Sequence, residues 1–194
     1  MPKVCRSGQA RTLTPAELER LVMAIPSMPV RTLCQVMRFT GSRVRETTLL
    51  TWACLHHDRI VFRRVTTKTS TTREPLIGPR LAAELVAYRE WWCTLIGTAP
   101  RPSEYVFPSR TSTTQSISPQ AVDKALRKAI RVAGLPTGCS THTFRRSLAT
   151  TMAMQGIDLK TVQRFTGHTN LNMLARYIDV SPERELSALA TIGG

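Results

Sequence analysis

Acidic side chains are scarce in this sequence. Thirteen Asp and Glu stand against 27 Lys and Arg, a net charge of +14 over 194 residues. The few carboxylates are dispersed, so there is no Asp/Glu cluster of the kind that holds Mg²⁺ in a two-metal nuclease. A P-loop, a dinucleotide fingerprint and a His-Glu-x-x-His pair are also missing. If such a chain acts on phosphodiesters, arginine, lysine and histidine must supply the electrophilic and proton-transfer groups, and the nucleophile must be a side chain or water. No apolar run approaches the roughly 18–20 residues of a membrane span. The opening "MPKVCRSGQARTLTP" has no apolar stretch and is not read as a secretory signal. Five scattered cysteines (Cys5, Cys34, Cys54, Cys93 and Cys139) form no Cys-x-x-Cys pair, and the odd count fits free thiols in a reducing cytosol. Neither an internal repeat nor a low-complexity block is present.

Hydrophobic residues make up 42% of the chain, ordinary for a folded domain, and the length suits one full-sized core with at most a small appendage. The positive charge is mostly arginine, since the lysines are only Lys3, Lys68, Lys124, Lys128 and Lys160. Arginine suits bidentate phosphate contacts, which makes nucleic acid the first candidate partner. On composition alone, a basic solvated surface without a specific ligand stays open.

The pattern reads as mainly α with a small antiparallel β-sheet, an α+β arrangement in one domain over 1–194. Residues 1–12 read as a loose basic arm. In "LTPAELERLVMAI", Thr14, Pro15 and Glu17 spell a capping box, and Leu18, Leu21, Val22 and Ile25 share a face. A break at Ser27–Pro29 precedes a helix in "VRTLCQVMRFTGS" closed by Gly41, and a shorter one in "RVRETTLLTW". "DRIVFRRVTTKTSTTREPLI" alternates and is β-branched, predicting two or three short strands with a hairpin near Lys68–Thr72. "PRLAAELVAYREWWCTLIG" predicts a helix ending at Gly97. Residues 98–117 read as a loop with an apolar patch at Tyr105–Phe107. Further helices are expected after Ser118, from Ser140 or Thr141 to Gln155, after Asp158, over "NLNMLARYI", and from Ser181–Pro182 to the end.

Several residues could do chemistry. Arg43 and Glu46 in "TGSRVRET" are three apart, which on a helix lets the carboxylate brace the guanidinium and leave one edge for a phosphate. Lys68 falls at the polar centre of the hairpin region. His142 and Arg145 are three apart near a helix start, where free N–H groups and the dipole favour anions; Arg146 points about 100° away. His168 follows Gly167 at a helix end, and Tyr177 lies nine residues beyond it. Taken singly, each also reads as something ordinary: a surface ion pair, a turn lysine, a capping histidine, a packing tyrosine.

Together and in order, these residues resemble the tyrosine recombinase (phage integrase) family over roughly residues 12–180. That family carries a Thr-Gly-x-Arg-x-x-Glu box, a hairpin lysine, His-x-x-Arg, Gly-His, and a tyrosine nine residues past that histidine. "TTKTSTTREPLI" is similar to the family's "KT…R…PL" strand pair, and "HTFRRSLATTMAMQGIDLKTVQRFTGH" to its His-x-x-Arg to Gly-His stretch. Arg146 stands where the family often has His, and Thr166 where it often has Leu. The resemblance implies the recombinase catalytic-domain fold and a site-specific recombinase that cuts and rejoins DNA without metal, ATP or other cofactor. Arg43 and Arg145 would grip the scissile phosphate, with Glu46 behind Arg43. Tyr177 would attack to give a 3′-phosphotyrosyl bond, Lys68 would protonate the leaving 5′-oxygen, and His142 and His168 would assist.

Most members carry a further N-terminal helical domain. Here the catalytic part starts almost at once, as in the small fimbrial-switch invertases, so the chain is expected to be a minimal recombinase or a fragment. The implied partners are double-stranded recombination sites, three further copies in a tetramer on DNA, and possible DNA-bending accessory proteins, with a monomer or weak oligomer in free solution and no membrane. The implied location is the cytoplasm, at the nucleoid, or the host cytoplasm if the source is viral. The helix of 181–194, with Leu186, Leu189 and Ile192 on one stripe, either packs on its own core or docks on a neighbouring protomer. Other readings are a type IB topoisomerase-like relaxase and a non-catalytic DNA-binding recombination factor.

Overall fold

Local capping chemistry starts the chain of helices. Thr14 Oγ1 accepts from the Glu17 N–H at 3.2 Å while Glu17 Oε2 accepts from the Thr14 N–H at 2.8 Å, and Pro15 opens α1 (Pro15–Met23). Leu18, Leu21, Val22 and Ile25 are buried, as the one-face pattern predicts. In the computed structural model the described residues are 10–66, 71–167 and 189–190.

α2 (Met28–Thr40) begins two residues before the expected start at Val30, because Pro29 sits in its first turn, where no N–H is needed. It ends at Gly41, whose φ of 61° is left-handed. Most of its residues are buried, since α1, α3 (Val44–Thr48), α4 (Pro79–Ile96) and α6 (His142–Met154) all pack on it. α5 (Pro119–Val132) follows a cap in which Ser118 Oγ accepts from the Ala121 N–H, and packs on α1 and α3. α7 (Leu159–Thr166) starts with Asp158 Oδ1 accepting from the Thr161 N–H at 2.9 Å, ends at left-handed Gly167, and lies on α6.

Among the described residues the sheet is smaller than the alternation suggested. Within the described residues the pairing is antiparallel but occurs as single bridges, Arg59 with Leu76 and Phe62 with Arg73. Backbone bonds run from Ile60 N–H to the Pro75 carbonyl, and both ways between Phe62 and Arg73. Pro75 has no N–H to return, which interrupts the ladder. Arg64–Thr66, expected as strand, is a 3₁₀ turn; the centre of the hairpin, 67–70, lies outside the described residues. The stretch read as a loop over 98–117 also pairs, Thr51 with Tyr105 and Pro108 with Ser116, and this buries Val106 and Phe107.

Residues 10–12, expected within a loose basic arm, are bonded to the body of the protein. Arg11 N–H donates to the Gly138 carbonyl at 3.0 Å, Leu13 N–H to Ser147 Oγ at 2.8 Å, and Arg146 Nη1 to the Ala10 carbonyl. Residues 10–13 are thus strapped to α6 and to the turn before it. The helix expected over 170–178 and all but Leu189 and Ala190 of the last one lie outside the described residues. No helix among the described residues is long and apolar enough to cross a membrane.

Candidate active site

A cleft of about 470 Å³ is lined by Ser42, Arg43, Glu46, Thr66, His142 and Arg145, among others. It therefore joins two candidate pairs that are about a hundred residues apart in sequence, Arg43 with Glu46 and His142 with Arg145.

Arg43 is not inside a helix, as its spacing suggested, but at the N-cap of α3. Glu46 reaches back to it twice: Oε2 accepts from the Arg43 N–H at 3.1 Å and Oε1 from Arg43 Nη1 at 2.8 Å. The guanidinium has no acceptor to complete a capping box, so the carboxylate provides the brace. Glu46 is 4% exposed and Arg43 27%, which leaves the arginine facing the cleft from a fixed support.

Arg145 comes from the first turn of α6 and is 4% exposed. Nη1 donates to the Gly41 carbonyl at 2.8 Å and Nη2 to the Gly167 carbonyl at 3.2 Å. These carbonyls lie at the C-terminal ends of α2 and α7, where backbone acceptors lack intrahelical partners and the dipole is negative. The two ends meet closely. A Cβ at Gly41 would stand 3.2 Å from Leu148 Cδ2 and 3.4 Å from Thr166 Cγ2, so glycine serves both the left-handed turn and the approach. Thr166 is fully buried and its hydroxyl donates to the Val162 carbonyl, so this departure from the family's usual leucine is absorbed inside α7.

His142 opens α6, its N–H donating to Ser140 Oγ at 3.3 Å; Thr141 is the N-cap residue but makes no side-chain cap. Lys68, His168 and Tyr177 lie outside the described residues.

Two features go beyond the roles that sequence reasoning assigned. Arg73 is largely covered and stands beside Glu46. Burial pushes its guanidinium down to about 10, opposed by the Glu46 carboxylate and reinforced by Arg43, so it stays cationic near neutral pH. Second, a groove of about 490 Å³ adjoins the cleft through Val44 and Thr141 and carries Lys124, Arg127 and Arg131 of α5. The spacing of 124, 127 and 131 along one helix face was the available signal. For Arg73 the only signal was its place as the arginine of the family's strand-pair pattern, which names no contact, because its partners are remote in sequence. Among the described residues, no group of three His, Cys, Asp or Glu stands close enough to hold a metal ion.

The phage integrase family model matches residues 11–184. The chain belongs to the phage integrase family. It is 30% identical over 181 residues to the tyrosine recombinase XerD of Pseudomonas aeruginosa, covering 90% of this chain and 59% of that protein. It is 24% identical over 178 residues to a tyrosine recombinase of Pseudothermotoga lettingae, covering 91% and 59%. The chain thus spans about three-fifths of these relatives. Among solved structures, the XerH site-specific recombinase bound to its difH substrate superposes with a TM-score of 0.76 at 22% identity, over 98% of this chain and 57% of that one. The catalytic domain of bacteriophage HP1 integrase superposes with a TM-score of 0.63 at 19% identity, over 94% and 95%. The shared fold is the expected catalytic-domain fold, mostly helical with little strand.

Proposed function

We propose that this chain carries the catalytic function of a site-specific DNA recombinase that cleaves and rejoins strands through a 3′-phosphotyrosyl bond on Tyr177. The observation that carries the reading is the cleft in which Arg43, held by Glu46, faces His142 and Arg145. Two arginines and a histidine around one cavity suit a phosphodiester whose charge grows in the transition state. Arg43 and Arg145 grip the non-bridging oxygens, and His142 and His168 hydrogen-bond the phosphate and assist proton movement. The Tyr177 oxygen attacks phosphorus, the P–O5′ bond breaks, and Lys68 delivers a proton to the leaving oxygen. Rejoining reverses these steps with a 5′-hydroxyl as nucleophile. The phosphotyrosyl linkage keeps the energy of the cleaved bond, so the chemistry itself calls for neither ATP nor metal.

The substrate is double-stranded DNA carrying recombination sites. The structurally similar XerH site-specific recombinase was solved bound to its difH substrate, and the basic face of α5 beside the cleft gives phosphates of a neighbouring stretch somewhere to sit. Strand exchange needs four sites in one synapse, so the active assembly is a tetramer on paired DNA, working in the cytoplasm where the DNA is.

The test is a supercoiled plasmid bearing two copies of the DNA that flanks the gene. Recombinant junctions, formed equally in EDTA, are expected. Relaxation without junctions would point to topoisomerase-like action, and activity lost in EDTA and restored by Mg²⁺ would contradict the mechanism.

A further inference from the structure

Arg73 is a largely covered cation that the chemistry above leaves without a task. Its side chain is 12% exposed. Nη1 donates to the Thr40 carbonyl at 2.8 Å and to the Phe165 carbonyl at 2.6 Å. Nη2 lies 3.6 Å from Glu46 Oε2, and the guanidinium carbon stands 4.9 Å from the centre of the Phe62 ring. A Cβ at Gly167 would come within 2.9 Å of Arg73 Cδ, so that glycine makes room for the arginine stem.

Thr40 and Phe165 belong to the last turns of α2 and α7. Arg73 therefore spans the same two helix ends that Arg145 spans through Gly41 and Gly167. It also reaches Glu46. One oxygen of that carboxylate takes the Arg43 guanidinium, and the other takes the Arg43 N–H and faces Arg73. The Arg73 charge thus stands behind the carboxylate that braces the Arg43 guanidinium, within ion-pair range and without a hydrogen bond from Nη2. A buried charge is a poor way to gain stability, since a well-packed apolar side chain often does as well. What the guanidinium fork adds is direction.

We propose that Arg73 is a positioning residue for DNA cleavage: it ties the ends of α2 and α7 to each other and to the Glu46 carboxylate, and so aims Arg43 at the scissile phosphate. This rests on the recombinase reading. Lysine would keep the charge but not the fork, and methionine would keep neither.

Single-turnover cleavage should be timed on the flanking-DNA duplex with which the unmodified chain forms its covalent adduct, and equilibrium binding to that duplex measured in parallel. Misplacing a reacting group by about 1 Å costs on the order of 100-fold. On that scale Arg73→Lys should cleave about 10-fold more slowly and Arg73→Met about 100-fold more slowly, with binding little changed. Should the methionine variant not fold, the lysine variant carries the same comparison. Glu46→Gln combined with Arg73→Lys should be no slower than the slower single variant, because both act through one carboxylate. Cleavage by Arg73→Lys at the unmodified rate would overturn the proposal. So would losses that multiply in the double variant, or binding that falls in step with cleavage. Absence of any adduct from the unmodified chain would overturn the recombinase reading and this proposal with it.

Discussion

Two parts of this molecule are held together in opposite ways. Around α4 the protein is held by rings: Trp52 meets Trp92 edge-on at 5.4 Å and stacks on Tyr88 at 6.0 Å, with Trp91 and Phe107 against the same tyrosine. Where α2 and α7 end, it is held by arginines, with Arg73 and Arg145 donating to four backbone carbonyls. Apolar burial scales with area and has little direction, so the ring cluster tolerates small shifts. A guanidinium bonded to carbonyls tolerates few, because hydrogen bonds weaken steeply with angle. The residues proposed to face the phosphate, Arg43 and Arg145, sit over the second region. Stability and precision are therefore separable here: rings hold the fold, and arginines hold the geometry.

The largest expected effect on stability lies in the ring cluster. Trp92 is 1% exposed, and Trp92→Ala should cost about 3–5 kcal/mol in denaturant unfolding. Its cleavage rate, corrected for the folded fraction, should be near that of the unmodified chain; a rate far below it would mean that the two regions are not separable. Arg43→Ala should do the reverse. Loss of one such donor typically slows the reaction about 10²–10³-fold. Arg73 still faces Glu46 in that variant, so its melting temperature should fall less than that of Trp92→Ala. Gly41→Ala is the intermediate case. It forces alanine to a φ of 61° and sets a methyl 3.2 Å from Leu148. Stability should drop by about 1–2 kcal/mol, and cleavage per folded molecule should drop too, because the ends of α2 and α7 are pushed apart. A normal rate in Gly41→Ala would show that the spacing of these ends does not matter to the chemistry.

This contrast also sets what was legible in the sequence. Capping chemistry is local, so Thr14 with Glu17, Asp158, Ser118, and the closing glycines Gly41 and Gly97 stand where the sequence placed them. The pairing of Arg43 with Glu46 was legible too, although its geometry is that of a helix start rather than a helix face. The contacts of Arg73 were not. Its carbonyl partners are 33 and 92 residues away, and no spacing rule reaches that far. Among the described residues the strand pattern over 58–77 overstated the sheet, because alternation does not register that Pro75 cannot donate to the ladder. The last residues of the supposed basic arm looked loose because their anchors, Gly138, Arg146 and Ser147, are more than a hundred residues on. Lys68, His168 and Tyr177 rest on their order and spacing within the family pattern, which makes the tyrosine the assignment to test.

Tyr177→Phe removes only the hydroxyl. Incubated with flanking-site DNA and run on a denaturing gel, the unmodified chain should give a covalent protein–DNA adduct, mapped by peptide mass to Tyr177, with a free 5′-hydroxyl on the released strand. The phenylalanine variant should bind the same DNA and give none. Adduct formation by that variant, or an adduct mapped to any other residue, would contradict the account.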